Sequence, residues 1–333
     1  MGYDKSNPVV KHGLEGFNEF SIEEGDTLRI QACVSPLWDT ALAVTSLLDS
    51  GIPTNDPSLI NAYQYLVSNQ ILESGDWQIK AKNVPAGGWA FEFHNNYYPD
   101  VDDTAEIVLA LHRIRPGPEI ANSKVIRRAV TWVLGMQSSN GGWGAFDKDN
   151  TRRFIAKLPF ADFGETIDPP SVDVTAHVIE MLSHLNYKKD NPVISKALAY
   201  IFDEQEQDGS WFGRWGVNYI YGIGAVLPAL EKSDIDMSIT PVRKAVKWLE
   251  VHQNEDGGWG ESCSSYVTSE AIGQGPSTPS QTSWALIALL SAGEILNPVV
   301  SRGVQYLLNT QDEDGSWGSV FSKIVLVHAD IDS

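Results

Sequence analysis

Three aspartates fall within four residues in "YYPDVDDTAEIVLALHRI": Asp100, Asp102 and Asp103, directly ahead of an apolar run. Two chemistries fit that spacing. Carboxylates at a helix start accept the free N–H groups of the first turn and suit the helix dipole. Carboxylates crowded this closely also repel one another, which lifts at least one pKa and keeps that acid protonated near neutral pH. Two further helix-like starts carry ionisable groups. One is Trp38 and Asp39 in "WDTALAVTSLLDSG"; the other is Asp173 with His177 in "DVTAHVIEMLSHL", four residues apart and so on one helix face.

These acids converge with aromatics, namely Trp38, Phe91, Phe93, Phe146, Trp215 and Tyr221, in segments poor in Lys and Arg. Acid at one end and ring faces elsewhere suit a hydrocarbon that becomes cationic. The carboxyl supplies a proton, and each ring face attracts passing positive charge by about 0.5–2 kcal/mol. Apolar walls exclude the water that would trap the cation. Taken singly, Asp102 and Asp103 read first as caps, His177 as a satisfied core histidine, and Trp38 and Trp215 as core aromatics. Only their joint occurrence favours chemistry.

The elements that must position them repeat. "AYQYLVSNQILESGDW", "AVTWVLGMQSSNGGWG", "ALAYIFDEQEQDGSWF", "AVKWLEVHQNEDGGWG" and "GVQYLLNTQDEDGSWG" match one another. Each has an aromatic (Tyr65, Trp132, Tyr200, Trp248, Tyr306) five residues before a glutamine (Gln70, Gln137, Gln205, Gln253, Gln311). A tryptophan follows six or seven residues later: Trp77, Trp143, Trp211, Trp259, Trp317. The pattern predicts a helix ending near the glutamine, a Gly/Asp turn, an amide bonded to a neighbouring helix end and an indole laid over it. Smoother apolar helices alternate with these segments. The expected fold is therefore all-α, a double-layered (α/α)6-type barrel with the apolar helices inside. A further outer helix near "PVVKHGLEGFNEF" makes about six outer helices against five inner ones. The barrel domain is expected over 1–317, with 318–333 a divergent tail that leaves the inner ring one helix short. Inner helices of a ring begin near one end of its cavity, which gathers the acids there.

Composition excludes several classes. The 333 residues carry a formal net charge of −19, so nucleic acid is not an expected partner, nor is a polybasic attachment to anionic lipid. Cys33 and Cys263 have no metal-ligand spacing, and no metal or other cofactor is expected. There is no signal-peptide h-region and no membrane-length apolar stretch, which points to a reducing, cytosolic setting.

"PDVDDTA" together with the repeated QxxxGxW turns (QxxxxGxW in the first repeat) resembles the squalene–hopene cyclase family of triterpene cyclases. "QACVSPLWDTALA", "GMQSSNGGWGAFD", "DPPSVDVTAHV", "DGSWFGRWGVNYIYG" and "STPSQTSWALIAL" are similar to that family's segments too, from about Ile30 to Trp317. The resemblance implies acid-initiated closure of squalene, or a related polyprene, to a hopene-type product through carbocations. It implies Asp102 as the acid, Asp100 and Asp103 as its carboxylate neighbours, and His177 bonded to Asp102. Asp173, Tyr221 and Asp39 would complete a proton network. Trp38, Phe91, Phe146 and Trp215 would line the cation path, with Phe160 near the constriction where substrate enters. The family's monotopic attachment implies the cytoplasmic face of a membrane, or a soluble chain if the attachment surface is missing.

The sequence also departs from the family. Phe146 stands where a tyrosine is usual, and a second helical barrel and an aromatic terminal segment have no counterpart here. The alternative expectation is accordingly an inactive fragment that needs a complementing N-terminal half, or a second copy as a homodimer. An (α/α)-barrel glycosidase fits the clustered DVDD poorly. A prenyltransferase β-subunit would require a zinc-ligand cysteine and a basic diphosphate pocket that the sequence does not offer.

Overall fold

A computed structural model describes residues 4, 6–24, 27–30, 33–93, 95–114, 123–152 and 167–317. Five apolar helices form the inner layer: α2 (Pro36–Asp49), α4 (Val101–Ile114), α6 (Val172–His184), α8 (Tyr219–Lys232) and α10 (Pro279–Ser291). Each packs on the next in that order, so they stand as parallel staves of one wall. Outside them lie α3 (Pro57–Ser68), α5 (Lys124–Met136), α7 (Pro192–Asp203), α9 (Thr240–Val251) and α11 (Pro298–Thr310). Every outer helix packs on an inner one. The alternation expected from the sequence is therefore the observed architecture.

Local chemistry explains the outer helices. Asp56, Ser123, Asn191 and Asn297 accept first-turn N–H groups of α3, α5, α7 and α11, and proline opens α3, α7 and α11. The middle inner helices α4, α6 and α8 are buried nearly all round, whereas α2 and α10 leave Leu42 and Ile287 exposed. In α4 even Asp102, Asp103 and Thr104 are buried.

The repeats clamp neighbouring helices together, as the spacing predicted. The amides of Gln70, Gln137, Gln205 and Gln253 each donate to the carbonyl of the second residue of the next outer helix: Val125, Val193, Pro241 and Val299. The same amides also donate to Gly87, Gly141, Gly209 and Gly257. Gly141 has φ +99°, and a Cβ there would stand 2.4 Å from the Lys196 carbonyl, so only glycine fits that turn. The indoles of Trp143, Trp211, Trp259 and Trp317 donate to the last-turn carbonyls of their own helices.

The first repeat departs from expectation. Trp89, not Trp77, donates to Leu66 O at the end of α3. Trp77 instead packs edge-on against Trp132, with centroids 5.9 Å apart. The segment between Gln70 and Trp89 is longer than in the other repeats and contains a 3₁₀ turn at Asp76–Ile79, which puts the nearer tryptophan out of reach of the helix end.

The N-terminal region also departs. Helix α1 (Pro8–Glu19) packs chiefly on a two-stranded hairpin, β1 (Ser21–Glu24) with β2 (Thr27–Ile30) in register Ser21↔Ile30, rather than taking a sixth outer position. Among the described residues no helix is long and apolar enough to cross a membrane.

Candidate active site

The segment ahead of α4 is held by backbone pairing before any side chain acts. Asp100 N donates to Trp89 O (2.6 Å) and Val101 N to Ala145 O (2.8 Å). Thr104 Oγ1 donates to Asp100 O (2.6 Å) and accepts Trp89 N (3.0 Å), tying the first turn to the repeat. The DVDD cluster is thus fixed from both sides.

Its three carboxylates then divide the two roles open to them. Asp100 is the cap: its Oδ1 accepts Asp102 N at 2.7 Å and Asp103 N at 3.4 Å. Asp102 instead reaches across to α6, where its Oδ1 lies 2.6 Å from His177 Nδ1. Asp103 is almost fully buried, and its Oδ1 has no hydrogen-bond partner among the described residues. Burial raises Asp100 well above the usual carboxylate range, and the charges of Asp103 and Asp102 add to it. Burial does the same to Asp103, with Asp102 and Glu106 and then Asp39 of α2 adding repulsion. Protons in this cluster are therefore retained where an exposed carboxylate would have lost them.

His177 carries the opposite charge. Burial disfavours its imidazolium, but Asp102 beside it, followed by Glu106 and Asp173, raises it to about 10. The ring lies between aromatics, with Trp38 at 6.3 Å and Tyr221 at 6.2 Å centroid to centroid. Tyr221 in turn meets Trp284 of α10 at 4.7 Å. A Cβ at Gly216 would stand 2.5 Å from the Tyr221 ring, so this close seating needs glycine. Burial first, then Asp102 and Asp173, holds the Tyr221 phenol well above its ordinary value, leaving it a hydroxyl donor.

Asp173 does something different from what its sequence position suggests. Its Oδ2 accepts Arg214 N (3.0 Å) and Trp215 N (2.8 Å), so half of the carboxylate holds the segment carrying Trp215. Its Oδ1 has no hydrogen-bond partner among the described residues and stays near the cluster, where burial and the Asp102 charge raise its pKa. Trp215 is 36 % exposed and meets the half-buried Phe146 edge to face at 5.9 Å. Phe91 is half-buried just beyond the Trp89–Asp100 bridge. Phe93, two residues on in a bend and turn, is exposed. Phe160 lies outside the described residues.

Sequence reasoning missed two groups at the site. Glu106 sits one turn after Asp102 on the same face of α4, a signal the i, i+4 spacing carries. Burial lifts it to about 7, partly opposed by His177, with Glu180 and Asp102 adding to the rise. Trp284 stands in the second turn of α10, where the apolar helix pattern gives no sign that it differs from a core residue.

Parallel helices in two layers, with acids at the starts of the inner set, define an α/α-toroid of the kind used by class II terpene cyclases. A type II terpene cyclase from Scytonema has this fold, with TM-score 0.57 at 18 % identity over 90 % of this chain and 75 % of that one. Residues 34–323 match the family described as squalene-hopene cyclase C-terminal domain. The squalene–hopene cyclase of Alicyclobacillus acidocaldarius is 48 % identical over 93 % of this chain and 49 % of its own length. That of Zymomonas mobilis is 41 % identical over 95 % and 50 %. The chain belongs to the squalene–hopene cyclase family. It spans about half the length of the curated relatives it matches.

Proposed function

We propose that this chain carries the acid end of a polyprene cyclase, in which Asp102 protonates the terminal double bond of squalene or a related linear polyprene. The observation that carries this reading is the 2.6 Å contact between His177 Nδ1 and Asp102 Oδ1. A cationic His177 donates to that oxygen, so the other oxygen delivers the proton, and the imidazolium stabilises the carboxylate left behind. Asp100 orients the turn, while Asp103 stays neutral and adds no further negative charge. Closure of the polyene then moves positive charge past Trp38, Phe146 and Trp215, whose ring faces lower its energy. Asp39, Asp173 and Tyr221 complete the ionisable surroundings through which a proton returns to Asp102, and Phe91 and Phe160 complete the cation path and the substrate constriction.

The test is gas chromatography–mass spectrometry of detergent extracts after incubation with squalene, with Asp102→Asn alongside. A cyclic triterpene from the parent and none from the variant is expected. Product from both would overturn Asp102 as the acid.

A second reading, that the chain acts only when another surface covers the acids, is favoured by the outward-facing Trp215 and by exposed Leu42 and Ile287 on α2 and α10. A complementing helical half restores water exclusion in this reading, and a second copy of the chain is the other candidate. Turnover that appears only when the other half of a relative is added identifies it. A squalene-like substrate dissolves in lipid, so we place the chain peripherally on the cytoplasmic face of a membrane, which co-flotation with liposomes checks.

A further inference from the structure

Phe146 and Trp215 meet edge to face, yet each sits on irregular chain rather than on a helix. Phe146 follows the turn at Trp143, and Trp215 precedes α8. We infer that Asp168, itself out of the cation path, is the positioning residue that sets this aromatic pair and thereby the course of cyclisation.

Asp168 grips one partner by its backbone. Its Oδ2 accepts the N–H of Phe146 at 2.7 Å and of Asp147 at 3.1 Å. A Cβ at Gly144 would stand 2.8 Å from that oxygen, so glycine is what lets the carboxylate approach. The other partner is held through Arg214. Asp168 Oδ1 faces Arg214 Nε at 3.9 Å, and Arg214 Nη2 donates to Ile167 O at 3.0 Å. The guanidinium lies 5.5 Å from the Trp215 ring centroid.

One carboxylate thus fixes the backbone under the first ring and the cation over the second. The Asp168 and Arg214 side chains are only 13 % and 16 % exposed, so the pair is weakly screened, and removing one leaves the other buried without its counter-charge. Asp173, in the first turn of α6, holds the Arg214–Trp215 backbone as well. Asp168, with Asp173, would therefore decide where an intermediate cation finds its ring faces. A misplaced ring stabilises the wrong cation, and the polyene loses its proton before closure is complete.

This inference rests on the proposed cyclisation, so its test includes a readout that needs no turnover. The chain is labelled with 5-fluorotryptophan, the Trp215 fluorine resonance is assigned by its absence in Trp215→Phe, and Asp168→Asn and Asp168→Ala are compared with the parent. Asn keeps an oxygen for the two N–H groups but loses the charge opposite Arg214, so the Trp215 resonance moves while product ratios change little. Ala loses both, so the resonance moves further and partly cyclised products rise several-fold. If Asp168→Ala fails to fold, Asp168→Asn still decides the positioning role through the Trp215 resonance. A Trp215 resonance left at its parent position in Asp168→Asn overturns the positioning role. Unchanged product ratios in a folded Asp168→Ala overturn its influence on the course of cyclisation. No product from the parent would count against the proposed function, and the fluorine signal would still test the positioning.

Discussion

The turn repeats and the acid cluster both place polar side chains against helix ends, with opposite outcomes. In the repeats the work is neutral and mostly satisfied, although the indole N–H groups of Trp77 and Trp132 have no hydrogen-bond partner among the described residues. The four glutamine amides that bridge to the next outer helix, and the indoles at Trp89, Trp143, Trp211 and Trp259, all find carbonyls, and these four tryptophans are 0 % exposed. In the cluster the side chains are ionisable and under-satisfied: Asp103 and Asp173 each keep a buried oxygen with no hydrogen-bond partner among the described residues. Fully paired buried groups stiffen a fold, whereas unpaired ones hold protons at unusual affinity. The repeats supply the rigidity that keeps the acids so close together.

The largest test of this contrast is at the acids. Asp102→Asn should lower product formation by about 10²–10⁴-fold or more, with far-ultraviolet circular dichroism unchanged. A variant that unfolds would show that Asp102 serves the fold as the repeats do.

Next come the repeats themselves. Trp143→Ala should cost about 3–5 kcal/mol of stability by urea denaturation. Trp317→Ala should cost well under half of that, because Trp317 is 40 % exposed and caps the last outer helix described. Equal losses at the two positions would remove the distinction between buried and open repeats.

Smaller effects follow from pH. His177 is raised from 6.5 to about 10, so its contribution to stability is complete below 6.5 and disappears as pH rises through about 10. Glu106 is raised from 4.5 to about 7, so the neutral acid favours folding below 4.5 and that contribution is lost as pH rises through about 7. Glu106→Gln should flatten the fall in denaturation midpoint between those two values. It should also lower the His177 pKa by about one unit, read by NMR of labelled histidine. An unmoved His177 would show that α4 and α6 do not share one electrostatic network.

The smallest difference is between Gln137→Ala and Gln311→Ala. The first removes hydrogen bonds to Gly141 and Val193 and should cost about 1–3 kcal/mol. The second removes one exposed bond to Gly315 and should change the urea midpoint little.

Much of this was legible in the residues. Helix alternation, caps and turns are local, so periodicity with Pro, Gly and Asn/Asp positions revealed, in their layers, ten of the eleven helices among the described residues and the glutamine clamps between them. The conjunction of Asp102, His177, Trp38, Phe146, Trp215 and Tyr221 was legible because inner helices share a direction and their starts gather at one end. Trp89 could have been found too, since "AGGWAF" carries the same glycine pair as "NGGWGAF", but the nearer Trp77 fitted the spacing better.

Sequence by itself determined the layers, the repeat and the place of the acids, because each is set by neighbours along the chain. Only the tertiary structure decided which aspartate caps and which meets His177, that Asp173 holds the Trp215 backbone, and that Glu106 comes into the field of His177. It alone joined Asp168 to both Phe146 and Trp215. Those outcomes depend on how α4 packs on α6 and how two irregular segments cross beside them. Burial and charge act through space, and no spacing along the chain encodes them.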